Sequence, residues 1–372
     1  MTKINTRSPY FIYYTDTNLT SAKLDLYIYT GEQTTDRGSI IYTLDNLAIS
    51  DAVTFEISEL VKDYIEHNFD GTYATEVVWV DYQITPYISE VAQTPEAIVA
   101  LVAFDGYGYF EDGAQNQSKD LNDSKLLQSN RIIYKLSDTS TRIAVDANST
   151  YDVGFYSDGE LVKSQSISLD DSSISRIVYI QDYFQNGIDN FEQRVINDGG
   201  IFESSLCLEK AFREYELTGV DTISIDGEIC KIITIEECKY KPYKLTFVNK
   251  FGALQDLYFF KKSELSITTN KKEYNSNIVS QGDYSISSHR NKILNKNGNE
   301  SLKLSSGFYS EEYNEIFRQF LLSENVWIEI DNKTLPINIK SSSLTFKTSL
   351  NDKLIEYSIE VDYAFDKINN IR

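Results

Sequence analysis

A mainly β, multi-domain fold is what this sequence predicts, and three observations predict it. The chain is rich in aromatic residues, with 27 Tyr and 19 Phe in 372 residues against a single Met, and aromatic and β-branched side chains fit the pleated surface of a strand better than a helix. Short stretches of apolar–polar alternation recur along most of its length, separated by turn dipeptides such as Asp-Gly. Only a few short segments change to the helical period. The expected arrangement is an N-terminal β-sandwich, immunoglobulin-like or jelly-roll-like, over residues 1–184. A middle β-rich domain with exposed loops follows over 185–300. Residues 301–372 then form a C-terminal α+β domain packing on the middle one, and one or two short helices accompany these smaller domains.

The elements follow in order. PYFIYYT and AKLDLYIYTG read as strands, the second placing Leu24, Leu26 and Ile28 on one face and Asp25, Tyr27 and Tyr29 on the other. Ile57, Leu60, Val61, Tyr64 and Ile65 recur at helical spacing, with Ser58 or Asp51 as candidate caps and Gly71 as the stop. YATEVVWVDYQITPY and AIVALVAF return to strand, the latter as a buried one. Residues 105–131, polar with three glycines, read as a long surface loop. RIIYKLSD, TRIAVDA and YDVGFYSDGELVKSQSISL are further strands, the last folding back at Asp158-Gly159, and SRIVYIQDYF completes the segment.

The middle region opens with a turn and a short amphipathic segment ending at Gly219. Strands follow, joined at Asp226-Gly227 and at Asn249–Gly252, with Lys261 and Lys262 guarding the end of an exposed strand. Residues 265–300, rich in Asn, Ser and Lys, read as an extended arm or exposed loops with interspersed strands. Ser310 suits the N-cap of a helix whose apolar face is Tyr313, Ile316, Phe317, Phe320 and Leu321. Two hairpins close the chain, turning at DNK and at SLNDKL, with Ile355, Tyr357, Ile359 and Val361 sharing a face.

Charge and composition narrow the function. Residues 1–236 hold 16 basic and 39 acidic side chains, and residues 237–372 hold 19 and 17, giving nets of −23 and +2. An acidic front half repels polyphosphate, so a nucleic-acid partner is not expected. Lys239, Lys241, Lys244 and Lys250 alternate with aromatics in KYKPYKLTFVNKF as base-stacking surfaces do, but strand alternation alone produces the same pattern. The amino end shows no secretory signal, and no apolar run approaches membrane-spanning length, so no membrane is expected.

Cys207, Cys230 and Cys238 match neither a redox pair nor a zinc module and read as free thiols. His67 and His289 are the only histidines. The first is expected to be solvated and the second to sit in a loop, which leaves little material for a nucleophilic triad. The acidic DGYGYFEDG lacks calcium-loop spacing. No catalytic, cofactor-binding or metal-binding residue is assigned, no cofactor is expected, and no enzyme activity is expected. Exposed Tyr and Trp rings on a β-sandwich can stack sugars, which keeps carbohydrate recognition as the alternative; Trp79 alternates with Val78 and Val80, which leaves its face open, and Trp327 is expected to pack in the core.

Three stretches resemble virion structural proteins of tailed bacteriophages: NTRSPYFIYYTDTNLTSAKLDLYIYTG, KPYKLTFVNKFGALQDLYFFKKSE, and the C-terminal segment from EEYNEIFRQFLLSENVWIEI to INNIR. The resemblance extends over most of the chain. It implies a β-rich component of a tail, baseplate or neck ring, assembled in many copies in the host bacterial cytoplasm and located in the virion. Its implied partners are copies of itself and other virion proteins, with a host-surface glycan as partner under the adhesin alternative. The resemblance supplies no site residues.

Overall fold

The computed structural model describes residues 1–31, 33–34, 36–73, 77–113, 118–137, 139–147, 150–168, 177–181, 220–341, 343–346 and 354–368. The expected amphipathic segment ending at Gly219, with Cys207, lies outside them, as does all but the last residue of the SLNDKL turn. The protein is mainly β, with several sheets and a few short helices. It divides into two compact units. The first comprises Met1–Glu236, Thr246–Leu257 and Glu312–Glu324, and the second Glu237–Leu245, Tyr258–Glu311 and Asn325–Arg372.

The first unit begins with β1 (Thr2–Asn5), β2 (Phe11–Thr15), β3 (Leu19–Tyr29), β4 (Tyr42–Leu47), β5 (Ala52–Glu56), α1 (Ser58–Lys62), β6 (Val78–Ile88), β7 (Val91–Ala92) and β8 (Val99–Phe104). They form a sheet in the order β1-β8-β6-β3-β4, with β7 on β6. β1 runs parallel to β8, and the other pairs are antiparallel. Alternation decides the inward face: Leu24, Leu26 and Ile28 are buried as expected, together with Val78, Val80, Leu101 and Ala103. Ile12, Phe55 and Val61 cover them from the other side. Burial of each such side chain is worth about 1.5–3 kcal/mol. Because β2 and β5 form their own antiparallel ribbon, the expected sandwich is a six-stranded sheet faced by a ribbon and a helix, not two sheets of similar size.

The helix expected over Ile57–Ile65 is shorter. It occupies Ser58–Lys62 with Ile57 at the N-cap position, so neither Ser58 nor Asp51 caps it, and it ends well before Gly71. Glu56 does the capping work: its carboxylate accepts hydrogen bonds from the Ser58 amide, at 2.8 Å, and from the Ser58 hydroxyl. One of the amides left open at a helix start is thereby satisfied.

The unit continues with a 3-10 turn at Phe110–Asp112, α2 (Lys119–Asp123), β9 (Ile132–Leu136), β10 (Arg142–Asp146), β11 (Thr150–Ser157), β12 (Glu160–Ser168), β13 (Ile177–Gln181), β14 (Thr222–Ile225) and β15 (Glu228–Ile235). A five-stranded sheet in the order β12-β11-β14-β15-β9 is faced by the β10–β13 ribbon. Their core includes Ile143, Val145, Val153, Phe155, Ile180 and Ile223. The Asp158-Gly159 and Asp226-Gly227 turns are as expected, both residues of each pair having positive φ, the geometry that matches strand twist in two-residue hairpins.

The 105–131 stretch is not all surface. Leu121, Leu126 and Leu127 are buried, and Asn122 exchanges hydrogen bonds of 2.9 and 2.7 Å with the Lys3 backbone, occupying the open edge of β1.

The remaining elements are β16 (Tyr243–Val248), β17 (Leu254–Phe259), β18 (Ser263–Asn275), β19 (Asn291–Ser305), β20 (Tyr309–Ser310), α3 (Asn314–Leu322), β21 (Val326–Ile330), β22 (Lys333–Ile339), β23 (Leu354–Ile355) and β24 (Ser358–Tyr363). Seven of them form one sheet, β17-β16-β21-β22-β24-β19-β18, and the division between the units runs through β16 and β17. In the second unit Ile355, Tyr357, Ile359 and Val361 are buried as their alternation requires. The Tyr309 hydroxyl donates to the Tyr258 carbonyl at 2.6 Å.

α3 belongs to the first unit, not to a C-terminal domain. There Phe320 meets the Phe247 ring edge-on at 5.5 Å, and Tyr313 meets Tyr134 at 5.0 Å. A 3-10 turn at Glu311–Tyr313 precedes it, so Tyr313 takes the N-cap position expected for Ser310.

The domain boundaries expected at 184 and 300 both fall inside sheets. β11 pairs with β14, and β9 with β15, across the first. The second lies within β19. Strand pairing remote in sequence therefore joins the segments on either side of both boundaries.

Candidate assembly surfaces

Two buried clusters of hydrogen-bonded polar side chains stand out among the described residues. His67, expected to be solvated, has a side chain only 6% exposed, and its Nε2 lies 2.8 Å from Asp105 Oδ2. The Thr6 hydroxyl donates to Asp105 Oδ1 at 3.4 Å, and among the described residues no serine or cysteine is hydrogen-bonded to His67. Tyr73, Arg142, Thr246 and Asp256 form a second cluster. Tyr73 and Thr246 both donate to Asp256 Oδ1, Arg142 donates to Oδ2 at 3.3 Å, and the Arg142 guanidinium lies 3.9 Å from the centre of the Tyr73 ring. Burial, followed by the Asp256 charge, pushes the Tyr73 hydroxyl well above its ordinary pKa, so it holds its proton as a donor.

His289 lies outside the strands, in the loop expected for it, and is exposed; Cys238 is exposed and Cys230 is buried. Burial pushes the Cys230 thiol up to about 11. Among the described residues no group of three or more metal-ligating side chains converges, and no helix is long and apolar enough to cross a membrane. Trp79 and Trp327 are both buried, at 0% and 7% exposure, and the Trp79 indole donates to the Gly31 carbonyl at 2.7 Å. A sugar platform would have to use other rings.

Three of the four lysines of KYKPYKLTFVNKF are engaged with acids, and the Lys239 ammonium lies 5.0 Å from the centre of the Tyr240 ring. Lys241 pairs with Asp331 at 2.7 Å, Lys244 with Glu329 at 2.5 Å and Lys250 with Asp120 at 2.8 Å. The simple two-faced alternation expected there fails after Lys244, because Leu245 to Asn249 are all buried. β16 is an internal strand of its sheet, covered on both faces.

At the turn beyond β16, Asn249 is fully buried. Its amide donates to the Leu127 carbonyl at 2.9 Å, and its side-chain oxygen accepts from Phe251 and Ala253 at 2.9 and 3.1 Å. Gly252 has φ +79°, and a Cβ there would sit 2.9 Å from the Asp105 nitrogen.

Two surfaces stand out for what they expose. The first, in the second unit, is the β18–β19 hairpin. β24 pairs with β19 only from Ser301 to Ser305, and the tail at Lys367 and Ile368 reaches back only to Gly298 and Asn297. Beyond that point, among the described residues, Lys271–Asn275 and Asn291–Lys296 pair with each other alone, a ribbon about 20 Å long at the usual strand rise. A bulge between Lys272 and Glu273 leaves Leu294 without a cross-strand partner and sharpens the local twist. Residues 276–290 form the tip, closed at Gln281-Gly282 by reciprocal hydrogen bonds between Ser280 and Asp283. The arm expected from composition at 265–300 is therefore an ordered hairpin. It exposes Leu294 by 70%, Tyr284 by 58% and Ile286 by 93%.

The second surface, in the first unit, was not legible as a site in the sequence. Tyr13, Asn46, Leu47, Ile49, Ala52 and Thr54 line a groove of about 460 Å³ where the edge strand β4 meets the β2–β5 ribbon. Leu47 and Ile49 are each 81% exposed and Tyr13 67%. The tight Ser50-Asp51 turn, both residues at positive φ, presents them. The exposed acids Asp45 and Asp51 flank the groove, and no basic residue lines it.

A scan against protein-family models and a search of curated proteins each return no match.

Proposed function

We propose that this chain is a structural component of a tailed-bacteriophage virion, assembling in multiple copies into a tail, baseplate or neck ring through protein–protein interfaces. The observation that carries this reading is the β18–β19 ribbon. A lone two-stranded hairpin is marginal in water, and this one holds large apolar side chains in solvent at its strands and tip. Exposed apolar surface of that kind marks a contact surface. The multi-sheet β architecture, the polar groups engaged in structural networks and the sequence resemblance to phage tail components support the same reading.

The test is mass spectrometry of purified particles, with the chain's position found by electron microscopy. Recovery at symmetry-related positions in the tail, baseplate or neck supports assembly. Absence from mature particles, or turnover of a substrate by the purified chain at a useful rate, overturns it. Micromolar binding on a glycan array by a monomeric chain would favour a receptor-binding module instead.

A further inference from the structure

We infer that the β18–β19 ribbon of one copy seats in the Tyr13–Leu47–Ile49 groove of a second copy. This rests on the assembly reading and names one of its contacts. Charge complementarity selects the occupant. Residues 265–296 carry Lys271, Lys272, Arg290, Lys292 and Lys296 against Glu273 and Asp283, a basic arm on a chain whose net charge is −21. Lys271 is paired with Glu273 at 2.5 Å. Lys272, Arg290, Lys292 and Lys296 make no ion pair among the described residues, and all four are exposed. The groove lies in the half of the chain with net charge −23, flanked by Asp45 and Asp51.

The apolar parts match as well. Val279, Tyr284 and Ile286 project from the tip, 56%, 58% and 93% exposed, and Tyr13, Leu47 and Ile49 wait in a groove roomy enough for such side chains. β4, an edge strand, also offers unpaired backbone groups to an arriving strand. Arm and groove are different surfaces, so each copy gives one and receives one. A contact of that head-to-tail kind repeats and closes into a ring when its rotation allows.

The test uses the full chain and light scattering coupled to size exclusion. One variant reverses the arm, Lys272→Glu with Lys292→Glu and Lys296→Glu. A second removes its apolar tip, Tyr284→Ser with Ile286→Ser, and a third blocks the groove, Leu47→Lys with Ile49→Lys. All these positions are exposed, and circular dichroism checks that each variant folds. The wild type is expected to self-associate, more weakly as salt is raised from about 0.05 to 0.5 M because screening shortens the reach of charge. Each variant alone should associate at least tenfold more weakly.

Mixing an arm variant with the groove variant should yield a one-to-one dimer and nothing larger, since one intact arm and one intact groove remain. A monomeric wild type, arm variants that associate like the wild type, or a mixture that stays monomeric would overturn the inference. Unchanged association by the arm variants, with the chain still present in particles, overturns this contact and leaves the assembly reading standing. Absence from particles removes the assembly reading whichever way the arm behaves.

Discussion

Replacing Asn249 by alanine should unfold the first unit at markedly lower denaturant. The side chain is fully buried and holds the turn between β16 and β17 from inside. The substitution takes away the donor to the Leu127 carbonyl and the acceptor shared by the Phe251 and Ala253 amides, with bonds of 2.9, 2.9 and 3.1 Å. A buried polar group stripped of its partner costs about 1–3 kcal/mol. Three such groups, partly relieved by relaxation of the turn, give a loss of about 3–6 kcal/mol. That is a large part of a typical domain's stability.

The assay is urea unfolding followed by tryptophan fluorescence in a Trp327→Phe background, where Trp79 reports on the first unit alone. The midpoint should fall with the slope unchanged. A loss below about 1 kcal/mol, less than one orphaned group costs, would refute the view that this side chain, rather than the backbone turn itself, holds the loop in place.

Four further outcomes are expected. Gly307→Ala should destabilise the second unit by about 2–4 kcal/mol in the same assay with Trp79→Phe as background, because φ is +76° and the new Cβ would press on the buried Phe260 ring, 2.7 Å from Cδ2. Lys3→Met should cost about 3 kcal/mol by thermal or urea unfolding. It deprives Asp146 of a 2.9 Å ion pair whose side chains are 6% and 12% exposed, and Lys3→Met with Asp146→Leu should recover most of the loss. In native protein, iodoacetamide at pH 8 should modify exposed Cys238 quickly and buried Cys230 slowly, read peptide by peptide. The Cys230 thiol, raised to about 11 from 9.0, contributes stability that is fully present below pH 9 and lost as pH rises through 11, so Cys230→Ala should flatten the alkaline fall in stability over that window.

What the sequence made legible was local. Asp158-Gly159, Asp226-Gly227 and the Asp331–Lys333 turn announced hairpins because two adjacent residues at positive φ need those residue types. Leu24, Leu26 and Ile28, and Ile355 through Val361, named their buried faces because a strand's period is two. The arm was visible in composition, though its pairing was not.

Pairing between distant segments was hidden. β9 with β15 and β11 with β14 join segments far apart in the chain, so a boundary drawn where a run of strands ends cuts through a sheet. Gln319 of α3, which the apolar face named from the sequence leaves out, is fully buried, with its amide donating to Ser129 at 2.5 Å and to Glu315 at 2.9 Å. His67 looked solvated because its partner, Asp105, lies 38 residues on. The groove escaped because it forms only when the Ser50-Asp51 turn leaves Leu47 and Ile49 standing in solvent.

The most direct measurement is a density map of the intact particle at a resolution that traces β-strands. It should contain symmetry-related copies of this chain, with residues 270–296 of each covered by neighbouring protein. A map in which the chain has no place, or in which that hairpin reaches into open solvent in every copy, would contradict the account.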